Sequence, residues 1–335
     1  MRVSRKSNNH SSTQPIYRTG FYAFACLLLV GVFLSLSLVV GKLASIAGAP
    51  LLTFLMMAML GASFMLCIIA ALKRHSMALN HRMLEYGLVS GFLFALPNAL
   101  GFLAIPHVGA GFISLSFAFP ILITWLLAVM FQLERLRVLR LMGVLLGLSG
   151  GIVLAAAKSG GTGEANVWVL LVLSMPVVIA CGNIYRTLRW PGAASPVFLA
   201  ALMMLGGAIT LSPFVLFFEA DQAADLLSSG RVIVLLVCEV AVFTILYLFY
   251  FLLQQLAGPV YLSQIGTVAA LSGTVLAVFV LDEVAPPNLG AAGVLVAIGI
   301  VLFQHGAKEQ TASLSTSSIT PTPKSKPTAN LEKHV

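Results

Sequence analysis

Ten apolar runs of roughly 18–24 residues, separated by short gaps rich in Gly, Pro and charged residues, dominate the chain. They fall at roughly 21–43, 50–72, 84–105, 108–131, 139–157, 166–186, 195–218, 231–254, 258–281 and 287–304. A helix rises about 1.5 Å per residue, so each run is long enough to cross a hydrocarbon layer about 30 Å thick. Backbone amides left bare in lipid cost several kcal/mol each, and coiling satisfies them within the segment. The pattern therefore predicts an all-α integral membrane protein with ten transmembrane helices.

Composition narrows the reading. With 59 % hydrophobic and 9 % charged residues, the chain carries too few charges to cover a water-soluble surface, for which about 25 % is usual. The net charge of +8 is spread through hydrophilic gaps rather than gathered on one domain face, which argues against a nucleic-acid partner. Cys26, Cys67, Cys181 and Cys238 lie singly in apolar runs, with no CxxC spacing and no accompanying histidine. They indicate neither a disulfide framework nor a metal site. Arg2, Arg5 and Lys6 precede the first apolar run in the manner of a signal peptide. That run is longer than a cleavable core of about 7–15 residues and is read as the first membrane helix.

Both ends are polar. Residues 1–19 predict a disordered cytosolic arm, and the Ser, Thr, Pro and Lys of 305–335 predict a disordered cytosolic tail. Lys and Arg concentrate in cytosolic loops of membrane proteins. An inside N-terminus places all of the 19 basic residues on the cytosolic side except Lys42, Lys158 and Arg231. Both termini are then cytosolic, in an inner or plasma membrane.

The halves repeat. Residues 109–134 laid over 258–283 agree at about seven of 26 positions, ending in Glu134 and Glu283, and GVLLGLSGGIVL at 143–154 resembles GVLVAIGIVLF at 293–303. Five crossings separate equivalent positions, so the repeats at 20–157 and 166–304, joined by an outer linker at 158–165, are expected to be inverted.

The segments 106–154 and 261–303 resemble the ten-helix, EamA-domain branch of the drug/metabolite transporter superfamily. In both, a helix closes on a Glu that opens a short loop, and a Gly-rich helix follows. The resemblance covers about 20–304, while DEVAPPN in the second half departs from the basic stretch after Glu134. It implies secondary transport of a small molecule, with export of an amino acid or derivative as the leading expectation. Such a protein works as a monomer or homodimer in the bilayer, needs no cofactor, and has protons as a candidate coupling ion.

Candidate residues are those whose chemistry is costly in lipid. Glu239 is the one formal charge between Val232 and Leu253, where a carboxylate costs about 2.5–3.5 kcal/mol on insertion scales. It either faces a cavity, as a proton or cation site, or snorkels from two turns below Arg231. Pro97, Pro120 and Pro176 lie mid-helix, where a freed carbonyl is tolerated only under protein or along a water-filled path. Asn98 can both donate and accept hydrogen bonds, and the repeat sets it opposite Tyr247. Trp125, Tyr261 and Gln264 flank the fourth and ninth runs and offer aromatic faces and an amide to a substrate. Asn183 and Tyr185 close the sixth run, beside an Arg186 read as an interfacial anchor. Lys42 is read as snorkelling outward or binding a substrate carboxylate, and Glu134 as capping a turn with Arg135.

GLSGG at 147–151 satisfies GxSxG formally, but a serine nucleophile needs a histidine base, and the six histidines sit in tails, loops or helix ends. Ser149, Gly143 and Gly147 instead suit a small-residue surface between the fifth and tenth runs. HExxH, Walker and dinucleotide motifs are missing, so the chain is not expected to be an enzyme or an ATP-driven pump. The alternatives to metabolite export are proton-coupled efflux of drugs or organic cations through Glu239, and a non-transporting membrane assembly factor.

Overall fold

The computed structural model describes residues 16–74, 79–132, 136–158, 163–192, 194–223, 228–262, 264–283 and 293–303, together with 134, 226, 290, 291 and 305. The expected disordered segments, apart from a few residues at their inner edges, and the loop 284–289 lie outside the described residues. Every regular element among the described residues is a helix: α1 Ile16–Ile46, α2 Leu51–Leu72, α3 His81–Val108, α4 Ala110–Ser116, α5 Pro120–Met130, α6 Val138–Lys158, α7 Gly163–Leu188, α8 Pro196–Phe218, α9 Gly230–Leu262 and α10 Ile265–Val280. A further apolar helix, α11, covers Gly293–Phe303.

Among the described residues seven stretches are long and apolar enough to span a membrane, α4 and α5 counting together over Ala110–Met130. The apolar parts of α6, α10 and α11 are shorter. Large apolar side chains also face outward, as at Phe217, Phe279, Leu72 and Met130. Helices apolar on every side are what a lipid surround requires, and the chain is a multi-pass helical membrane protein.

The helix ends differ instructively from the apolar runs. The run at 108–131 is divided: α4 stops at Ser116 and α5 restarts with Pro120 in its first turn, where a missing N–H costs nothing. Pro97 and Pro176 lie inside the unbroken α3 and α7. The gap expected after residue 254 is helical. α9 runs on to Leu262, and α10 starts at Ile265 with Gln264 as its N-cap. The fourth run is thus discontinuous, and the start of α10 lies close to the equivalent position of the repeat.

Helix pairing has a regular plan. α1 packs on α9 as α7 packs on α3, and α2 packs on α9 as α8 packs on α3. α1 meets α10 as α7 meets α5, while α2 meets α8 and α4 meets α10. Within a membrane the hydrophobic effect does not drive helices together, so close approach depends on small residues. At the α3–α8 crossing, a Cβ on Gly91 or Gly206 would overlap the opposing backbone. The same holds for Gly143 of α6 and Gly299 of α11, where Gly299 packs on the Gly143 and Gly147 backbone, the surface expected from their spacing.

Carboxylates close helix ends around this bundle. Glu219 accepts from the Leu52 and Thr53 amides at 3.0 and 2.7 Å, capping α2. Glu283 accepts from the Ala110 and Gly111 amides at 2.8 and 3.0 Å and lies 3.9 Å from Lys42 Nζ. Lys42 is therefore tied to another helix rather than simply extended into water. Glu134 pairs with Arg140, and Arg135 lies outside the described residues. The Glu134 amide bonds to the Ala128 carbonyl at 3.2 Å, and the Glu283 amide to the Ala277 carbonyl at 3.0 Å, so the repeated glutamates terminate their helices alike.

Candidate functional site

Two apolar cores fill the bundle, one built mainly from α1, α2, α3, α8 and α9, the other from the end of α3 with α4, α5, α6, α7, α10 and α11. A cavity of about 80 Å³ lies between them. Helical spacing supplies its polar lining: Asn183 and Arg186 of α7, and Tyr247 and Tyr250 of α9, each three residues apart and so on one face. α3 contributes Phe94, Pro97 and Asn98, and the α4–α5 break brings Phe117 and Pro120 opposite Leu262, Ile265 and Gly266. The Gly266 position is sterically closed: a Cβ there would overlap the Phe117 carbonyl.

Arg186 is the charged residue of this lining. Its side chain is only 4 % exposed, and its Nη2 donates to Asn183 Oδ1 at 2.8 Å and to the Tyr250 hydroxyl at 2.9 Å. Tyr250 donates in turn to Asn183 Oδ1 at 2.8 Å, and the guanidinium carbon stands 5.5 Å from the Tyr250 ring centre. The remaining donors are poorly served. Among the described residues Nη1 reaches only the Met203 sulfur, at 3.8 Å, and Nε has no partner. Among the described residues no carboxylate lies within ion-pair distance of Arg186; the pairs found are Lys42 with Glu283 and Arg140 with Glu134.

The opposite wall is aromatic and amide. Asn98 Nδ2 donates to the Phe94 carbonyl at 2.8 Å, and Asn98 shares the cavity lining with Tyr247, the residue that the repeat sets against it. Tyr247 stacks edge-on with Phe94 at 4.7 Å between ring centres and lies 5.6 Å from Tyr250. Pro97 cannot donate to the Leu93 carbonyl, and both residues line the cavity.

Glu239 lies outside this lining. It is fully buried, accepts a 2.5 Å hydrogen bond from Ser37 Oγ of α1 at Oε1, and among the described residues has no partner at Oε2. That burial rules out the snorkelling read from sequence, and the other reading, a carboxylate facing the cavity, does not hold for this cavity either. Tyr247 follows Glu239 by about two turns on α9 and shares the cavity lining with Arg186.

Asn98, Asn183, Tyr247, Pro97 and Pro120 thus come together at the cavity. Trp125 does not: it is wholly buried against Phe303 of α11, edge-on at 5.7 Å, and belongs to the second core. Gln264 heads α10 just outside the lining, and Pro176 is buried in α7 away from it. The Tyr261 side chain lies outside the described residues. Arg186 and Tyr250 are the cavity residues that sequence reasoning passed over. Their signal was available in the spacing Asn183-x-x-Arg186 and Tyr247-x-x-Tyr250, which puts polar groups on one face of each helix. No group of three or more potential metal ligands occurs among the described residues.

No family model matches the sequence, and no curated protein is similar to it. The fold does have solved counterparts. One, described only as "Crystal structure of protein", superposes with a TM-score of 0.60 over 85 % of this chain and 97 % of its own, at 17 % identity. At that identity the likeness concerns the fold alone.

Proposed function

We propose that the chain is a secondary active transporter that moves a small polar metabolite, an amino acid or derivative, across an inner or plasma membrane. The observation that carries this reading is a small, partly polar cavity, walled by both apolar cores, by the broken α4–α5 helix and by the start of α10. Discontinuous helices at a repeat interface are where secondary transporters bind substrate. In this reading ten helices cross the membrane as two inverted five-helix repeats, with both termini cytosolic and export as the direction of net transport. When α1, α2 and α3 are exchanged with α7, α8 and α9, the α1–α9, α2–α9, α1–α3 and α2–α3 packings correspond to α7–α3, α8–α3, α7–α9 and α8–α9, which supports a two-fold arrangement. Rocking of one half on the other would expose the cavity to each side in turn.

Glu239, buried with one free oxygen, is the proposed proton-coupling residue. Efflux of organic cations fits less well, because Arg186 repels a cation from the same cavity. The test is flux of radiolabelled amino acids into liposomes containing the purified protein, with and without an imposed proton gradient. Transport above that of protein-free liposomes supports the reading, and none under either condition refutes it.

A further inference from the structure

We infer that the cavity holds its ligand by a carboxylate seated on Arg186, with Asn183 and Tyr250 orienting the guanidinium. A buried cation without a counter-charge is expensive, and proteins supply a partner for it. Around Arg186 the described protein supplies neutral acceptors only, so the missing charge is one that a ligand brings. The guanidinium is also prepared for it. Asn183 and Tyr250 fix one nitrogen from one side, while Nε and Nη1 are left without an oxygen partner. A planar fork of N–H donors matches a carboxylate in charge and geometry.

Size and charge narrow the class. Room for about 80 Å³ accommodates a few heavy atoms, well below the 300–1,000 Å³ of drug-sized sites. One cation in the lining matches a monoanion better than a phosphate monoester, which carries about 1.5–2 charges near neutral pH. At the far end, Asn98 and Tyr247 offer hydrogen bonds and an aromatic edge, and Glu239 lies about two turns before Tyr247 on α9. A small zwitterion would lie with its carboxylate toward α7 and its ammonium toward α3 and α9.

This subsite rests on the transporter reading only for the fate of the bound molecule, so binding and flux are measured separately. The full-length protein in detergent micelles is titrated calorimetrically with L-serine, L-threonine, their carboxamides, propionate and inorganic phosphate. Carboxylates are expected to bind, and the carboxamides at least about tenfold more weakly. Arg186→Gln should weaken carboxylate binding about 30-fold or more, Arg186→Lys less, because truncating one partner of a buried charge pair is costly. If Arg186→Gln does not fold, Arg186→Lys and the acid-against-amide comparison on the wild type decide. Equal binding of acids and amides, binding of phosphate alone, or no binding at millimolar concentration overturns the proposal. Carboxylate binding without flux in liposomes would leave the subsite and remove the transporter reading. Flux of carboxamides, undiminished in Arg186→Gln, would do the reverse.

Discussion

Ser37 on α1 donates a 2.5 Å hydrogen bond to Glu239 on α9, and the second carboxyl oxygen of Glu239 has no partner among the described residues. The pair joins two helices assigned to opposite repeats, beside the wall formed by Tyr247. Glu239→Gln keeps the shape and an acceptor for Ser37 but removes the titratable proton. It should fold like the wild type and retain counterflow exchange of substrate, while losing accumulation driven by a proton gradient. Accumulation at the wild-type level would end the coupling role. Ser37→Ala, in contrast, leaves a buried carboxylate with neither oxygen partnered and should lower stability by about 1–3 kcal/mol in thermal or denaturant unfolding.

The approach of α10 to the α4–α5 break depends on Gly266, because any Cβ there meets the Phe117 carbonyl. Backbone cannot swing aside as a side chain can. Gly266→Ala should cost at least about 1–3 kcal/mol, as overpacking does, and lower the yield of folded protein on size-exclusion chromatography. Gly230→Ala, at a glycine with open space around it, should stay within about 0.5 kcal/mol of wild type.

Glu283 accepts from two amides at the start of α4 and faces Lys42, so its removal leaves helix-end donors unpaired. Glu283→Ala should destabilise by about 1–3 kcal/mol. Glu283→Gln keeps an acceptor but loses the charge, so its loss should be smaller. Thermal unfolding of the three proteins at one detergent concentration checks the order.

Trp125 packs against Phe303 and is absent from the cavity lining. Trp125→Phe should lower the melting temperature while leaving substrate affinity within about twofold of wild type, a modest packing cost of the kind seen for large-to-small core changes. A tenfold loss of affinity with unchanged stability would return Trp125 to the binding site.

Much of this arrangement was legible in the sequence because lipid imposes a simple rule on it. Long apolar runs give the helices, Pro120 marks a true break, and the Gly143 and Gly147 spacing marks a close crossing. The repeat even set Asn98 against Tyr247, and both line the cavity. What stayed hidden depended on which way a side chain turns. Arg186 near a helix end looks like an anchor until its burial is known, and Trp125 could be assigned to core or cavity until the ring was seen against Phe303. Lys42 looked free because its partner Glu283 lies far along the chain. The continuation of α9 past Gly258 and Pro259 ran against local propensity, which tertiary packing commonly overrides.

Alternating access to the cavity is the central claim, and Asn98 is the place to test it. With Cys26, Cys67, Cys181 and Cys238 replaced by alanine, Asn98→Cys is exposed to a small membrane-impermeant thiol reagent from each side of oriented vesicles. Labelling from both sides, each slowed by substrate, is the predicted result. Labelling from neither side, or from one side only and unaffected by substrate, would contradict it.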